Sequence, residues 1–74
     1  MNTYHITETE PCGFSTTWQI EAKDLTSAKR QATRTQGYIN TDLLIEIECG
    51  GDNTLIPMSQ KGPIERESKW EDYD

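Results

Sequence analysis

The stretch IEAKDLTSAKRQATRTQG, residues 20–37, contains the change from a strand pattern to a helix pattern on which the fold depends. Asp24 can accept hydrogen bonds from the free backbone amides of a following first turn, so it is a predicted N-cap. Gly37 can adopt the left-handed conformation that commonly ends a helix. The stretch therefore predicts a helix from Leu25 to Gln36 that follows directly on a strand.

The predicted helix has one apolar side. At about 100° per residue, Leu25, Ala28 and Ala32 fall together, whereas Arg30 and Arg34 fall on the far side. The inward residues are mostly small, so the helix can pack closely against a sheet.

Two strand patterns precede the helix. Polar and apolar residues alternate in TYHITET (3–9) and in TTWQIEA (16–22). The intervening EPCGFS (10–15) contains proline and glycine, which favour turns, so the two strands are predicted to form an antiparallel hairpin. The residues that fall on a common side of their strand are Tyr4, Ile6 and Glu8 in the first and Trp18, Ile20 and Ala22 in the second.

Further strand patterns follow the helix. TDLLIEIEC (41–49) is typical of a half-buried central strand, and GGDN after it is a strong turn signal. TLIPMS (54–59) predicts a returning strand in which Pro57 indicates an edge position or a bulge. We interpret QKGPIERE (60–67) as a loop, and SKWEDYD (68–74) as a short final strand or a tail in which Trp70 packs.

These elements predict an α+β fold. Their order is β-β-α-β-β, with or without a fifth strand, which gives an antiparallel four- to five-stranded sheet with one helix on one face. Residues 1–74 are enough for one small domain with a thin core, and we find no repeat or linker. If the C-terminus is a tail, residues 65–74 form a partly ordered acidic segment.

The composition and the N-terminal sequence argue against a membrane protein and against a secreted one. The chain is 32% hydrophobic and 27% charged, and no apolar run approaches the roughly 20 residues that span a bilayer, so no membrane association is expected. The N-terminus lacks the basic start and apolar region of a secretory signal, which predicts a cytoplasmic location. A disulfide between Cys12 and Cys49 is therefore not expected.

Groups for catalysis are sparse. His5 is the only histidine, and a lone histidine in a strand is usually a surface or half-buried residue. Cys12 and Cys49 lie far apart without histidine neighbours, unlike zinc ligands. Gly50 and Gly51 join two strands, so they do not form a phosphate-binding loop between a strand and a helix. No enzyme, cofactor or metal site is predicted.

Positive charge is concentrated in the helix segment. Four of the seven basic residues lie between Lys23 and Arg34, although the formal net charge of the chain is -6. Lys29, Arg30 and Arg34 form a compact cationic surface on the predicted outward side. The ordinary interpretation is a solvated helix face, but the planar fork of arginine also suits contacts with carboxylates or phosphates. This surface is the first candidate binding site.

A second candidate is an acidic cluster near the C-terminus. Its members are Glu65, Glu67, Glu71, Asp72 and Asp74. Such a cluster is typical of a solubilising disordered tail. The same carboxylates could instead imitate a row of phosphates and occupy a nucleic-acid site on a host protein. The residues alone leave both interpretations open.

The motif order resembles a known family. The order Y-x-I … Q-I-E-A-x-x-L-x-x-A-K-R-x-A-x-x-x-Q … I-E … K-W is similar to that of the ninth family of type I-F anti-CRISPR proteins, which are inhibitors encoded by phages or mobile elements. The similarity covers nearly the whole chain, is densest from Gln19 to Gln36 and thins after Gly50. Its most specific part is AKR-x-A-x-x-x-Q, which begins at Ala28.

The resemblance implies a partner and a mechanism. Members of the family bind the RNA-guided type I-F surveillance complex along its backbone subunits and block pairing of the guide RNA with target DNA. Carried over residue by residue, the partner-binding roles fall to Lys29, Arg30, Arg34 and Gln36, with Tyr38 as an aromatic neighbour. The expected location is then the cytoplasm of the bacterial host.

The sequence departs from the family near its C-terminus. The family is also associated with non-specific DNA attachment of the inhibited complex, which requires lysines there, whereas Lys61, Arg66 and Lys69 lie beside five acids. We therefore do not expect that activity. Strong direct DNA binding is not expected either, because the net charge is negative and the one basic patch is small. The alternatives are an acidic DNA mimic that inhibits another host nucleic-acid-binding protein and a small phage accessory domain that binds a protein. The oligomeric state is not fixed by the sequence.

Overall fold

Residues 1–73 fold as one antiparallel sheet with a single α-helix on one face. A computed structural model describes residues 1–73, so Asp74 of the acidic cluster lies outside the described residues. The elements in chain order are β1 (Asn2–Thr9), β2 (Ser15–Ala22), α1 (Leu25–Thr35), β3 (Asp42–Cys49), β4 (Thr54–Lys61), a 3-10 turn (Ile64–Arg66) and β5 (Glu71–Asp72). The strand order in the sheet is β2-β1-β3-β4-β5. The predicted α+β class is confirmed, with the fifth strand present.

The core lies between α1 and the inner face of the sheet. Ile6 of β1 pairs with Trp18 of β2 on one side and with Ile45 of β3 on the other. Ala28 and Ala32 of α1 are fully buried against this face. Small residues at these positions let the helix backbone approach the sheet, as their spacing predicts.

The helix begins as predicted but ends differently. Asp24 is the N-cap, and its Oδ1 accepts a hydrogen bond of 2.8 Å from the Ser27 amide. The helix ends at Thr35, one residue earlier than predicted, and Gln36 has φ -59° and ψ 120°. Gly37 does not adopt a positive φ, so the predicted left-handed ending is wrong. Instead, the amide of Gly37 is held by the buried carboxylate of Glu8.

Strand β4 has a bulge and is longer than the sequence predicts. The register between β3 and β4 shifts next to Glu46, which pairs with Pro57, so the predicted bulge is confirmed. β4 then continues to Lys61, and the prediction of a loop at residues 60–61 is wrong. Gln60 pairs with β3 on one side and with β5 on the other, so these contacts extend the strand.

Two further findings concern the state of the cysteines and the length of the helix. Cys12 is exposed, Cys49 is half-buried, and both are free thiols. Among residues 1–73, no helix combines the length and the apolar character needed to cross a bilayer.

Candidate functional site

The outward side of α1 presents exposed arginines. Arg30 and Arg34 lie one helical turn apart, and both are exposed. Neither forms a salt bridge with another described residue. Their guanidinium groups therefore remain available to a binding partner. We call this region, together with Lys29, Thr33 and Trp70, the helix surface.

Trp70 forms the aromatic border of the helix surface. Its indole Nε1–H donates a hydrogen bond of 3.0 Å to Thr33 Oγ1, and the ring also packs against the hydrophobic core. The ring is half-buried, so part of it faces solvent beside the arginines. The five residues of the helix surface line a shallow depression of about 380 Å³.

Lys29 has a different role from the two arginines. Its ammonium forms a salt bridge of 2.6 Å with Asp72 of β5, and its side chain is only 22% exposed. Asp72 also accepts a hydrogen bond of 2.8 Å from the Ser59 hydroxyl. Lys29 therefore ties β5 to the helix, and its charge is largely matched within the protein. The free positive charge of the helix surface comes from Arg30 and Arg34.

The salt bridge predicts how Asp72 responds to acid. The hydrogen bond from Lys29, followed by that from Ser59, lowers the pKa of Asp72 below its ordinary value of 3.8. Since the folded pKa is depressed, the contact contributes stability above pH 3.8 and loses it as the pH falls through the folded pKa. An NMR titration of the Asp72 carboxyl carbon should therefore show a midpoint below 3.8. The Lys29→Met variant should raise that midpoint, and an unchanged midpoint in the variant would contradict the assignment.

Gln36 and Tyr38, the other two predicted binding residues, lie beyond the helix surface. The Gln36 Nε2 donates to the Thr41 carbonyl oxygen at 2.9 Å, and its Oε1 accepts from Lys61 Nζ at 2.9 Å. The Gln36 amide is thus engaged within the protein. Tyr38 is exposed, in the loop that follows the helix. The structure brings Lys29, Arg30 and Arg34 together on one surface and separates them from these two residues.

A buried carboxylate holds the loop that carries Tyr38. Glu8 is 8% exposed. It accepts hydrogen bonds from the Gly37 amide at 3.1 Å, the Tyr38 amide at 3.2 Å and the Thr41 hydroxyl at 2.7 Å. Thr41 is completely buried. These three contacts fix the chain immediately after the helix. We call Glu8, Gln36, Thr41 and Lys61 the Glu8 network.

Lys61 completes the Glu8 network. Its ammonium donates to the Gln36 side chain and, at 3.1 Å, to the carbonyl oxygen of Gly62. Burial lowers the pKa of Lys61 from its usual 10.5. Sequence reasoning missed this network, although one signal was present. Glu8 alternates with Tyr4 and Ile6 on the core side of its strand, and a buried carboxylate requires hydrogen-bond partners.

The opposite face of the sheet contains the lone histidine. His5 is half-buried, and its Nε2 lies 3.3 Å from Glu48 Oε2. Within residues 1–73, no group of three or more His, Cys, Asp or Glu side chains is arranged to hold a metal ion. Glu65, Glu67 and Glu71 of the acidic cluster are exposed, whereas Asp72 is engaged by Lys29 and Ser59.

Comparison of the chain with protein-family models, with curated proteins and with solved structures gives no significant match in any of the three. Any proposal of function therefore depends on the helix surface and on the motif that begins at Ala28.

Proposed function

We propose that the protein is a non-enzymatic inhibitor of a type I-F RNA-guided surveillance complex. It binds the backbone subunits of the complex through the helix surface and blocks pairing of target DNA with the guide RNA. The observation that carries the proposal is the pair of exposed arginines, Arg30 and Arg34, beside the ring of Trp70. The resemblance of the surrounding motif to type I-F inhibitors supports the same partner.

The chemistry of the helix surface suits a protein partner. Arginine and tryptophan are the residue types most enriched among those that dominate binding energy at protein interfaces. The two guanidinium groups can each form paired hydrogen bonds with a carboxylate. The chain as a whole is acidic, with a formal net charge of -6, so its acidic parts are attracted to the basic subunits that handle nucleic acid.

A second candidate function follows from the exposed acids. Glu65, Glu67 and Glu71 lie close together in the C-terminal segment, and all three are exposed. In this alternative, they imitate phosphates and occupy the nucleic-acid site of another host protein. The two proposals differ in the surface that touches the partner, so substitutions on each surface separate them.

A pull-down tests the choice of partner. Tagged protein is expressed in cells that contain a type I-F complex and, separately, in cells that contain a type I-E complex. The backbone subunits of the type I-F complex should co-purify with it. Capture of only an unrelated DNA-binding protein would support the DNA-mimic proposal instead, and absence of both sets of subunits would contradict inhibition of a type I complex.

Direct DNA binding should be negligible. The net charge is negative, and the two arginines of the helix surface cannot supply the roughly 6–10 phosphate contacts of a strong binder. A gel-shift titration of duplex DNA at about 150 mM salt should show no complex at micromolar protein. A dissociation constant in the micromolar range or below would contradict the proposed mode of inhibition.

A further inference from the structure

The depression beside Trp70 has an apolar floor and a cationic border. Its lining is mostly carbon, supplied by the indole ring and the hydrocarbon stems of the helix side chains. Arg30 and Arg34 both line it, and neither forms a salt bridge with another described residue. Long cationic side chains commonly cover apolar surface in this way while their charges stay in water.

This combination specifies an occupant. We infer that the depression receives one apolar side chain of a protein partner, next to a carboxylate that pairs with Arg30 or Arg34. The inference rests on the proposed function for the identity of the partner and adds the chemistry of the contact. Trp70, which the sequence motif did not place near the arginines, is then a binding residue as well as a packing residue.

Charge favours a protein occupant over a nucleic acid. The Asp72 carboxylate lies next to the depression through its salt bridge with Lys29, and the acidic residues Glu71 and Glu67 are nearby in sequence. A phosphate backbone would meet these carboxylates, whereas a partner segment needs to bring only one or two negative charges to the arginines. Burial of an apolar side chain would add affinity without further charge.

Filling the depression tests the inference without altering any charge. Thr33 lies in its lining, so Thr33→Phe should occupy it, and affinity for the purified type I-F complex should fall at least about tenfold. Thr35→Phe is the matched control. Thr35 has the same intrahelical hydroxyl bond as Thr33 but lies about 200° away around the helix. The Thr35→Phe control should bind like wild type.

The outcomes separate this inference from the proposed function. If wild type binds the complex and Thr33→Phe binds equally well, the inference is wrong and the proposed function stands. If wild type itself does not bind, the proposed function fails. A photo-crosslinker at Lys69, next to Trp70, should label a protein subunit, and labelling of the guide RNA alone would show a nucleic-acid occupant and overturn the inference. Circular dichroism confirms that each variant is folded.

Discussion

Glu8→Ala should lower the free energy of unfolding by about 3 kcal/mol or more. The substitution removes a carboxylate that accepts three hydrogen bonds, from the amides of Gly37 and Tyr38 and from the hydroxyl of the buried Thr41. A hydrogen bond to a charged group contributes about 1.5–3 kcal/mol, so loss of the three together accounts for the expected decrease. Since a domain of this size shifts by about 4–8 °C per kcal/mol, the melting temperature should fall by at least about 12 °C.

Glu21→Ala provides the matched control for this prediction. Glu21 is also a strand glutamate, but its side chain is exposed and forms no hydrogen bond with another described residue. Its replacement should change the free energy of unfolding by less than about 0.5 kcal/mol. Thermal or denaturant unfolding followed by circular dichroism gives the comparison. Equal effects of the two substitutions would show that the Glu8 network does not stabilise the fold.

Reversal of Arg30 and Arg34 to glutamate should abolish function while the fold remains intact. Both side chains are exposed and make no core contact, so the double substitution should cost about 1 kcal/mol or less in stability. At an interface centre, loss of each charge-assisted contact costs roughly 2 kcal/mol or more, and the new charges add repulsion. Affinity for the type I-F complex should therefore fall at least about a hundredfold.

The control for the arginine reversal changes charges on the opposing candidate surface. Glu65→Lys with Glu67→Lys alters two exposed residues and leaves the helix surface unchanged. This variant should bind like wild type under the proposed function and should fail under the DNA-mimic alternative. Full binding by the arginine variant, together with loss of binding by the lysine variant, would show that the acidic cluster and not the helix surface contacts the partner.

The fold was predictable where local patterns determine it. Alternation at Tyr4 and Ile6, the capping geometry of Asp24 and the alanine side of the helix depend on residues close in sequence, and each appears in the structure as expected. The helix end was not predictable in the same way. It depends on Glu8, whose contact with Gly37 joins positions 29 residues apart.

The candidate site, too, was predictable only where it depends on residues close in sequence. Helical periodicity alone places Arg30 and Arg34 on the outward side. The position of Trp70 depends on its hydrogen bond to Thr33, 37 residues earlier, and on the two-residue strand β5. A strand of two residues is too short to show an alternating sequence pattern. Its position depends instead on its contacts with β4 and with Lys29. The engagement of Gln36 by Lys61 is likewise a tertiary contact that the motif does not reveal.

Competition with target DNA tests the central claim most directly. Purified type I-F surveillance complex is incubated with increasing amounts of wild-type protein, and labelled target duplex is then added. We expect DNA binding to fall as the protein saturates its sites on the complex, with no loss when the Arg30→Glu, Arg34→Glu variant is used. Undiminished DNA binding at saturating wild-type protein would contradict the claim that this protein blocks target recognition through its helix surface.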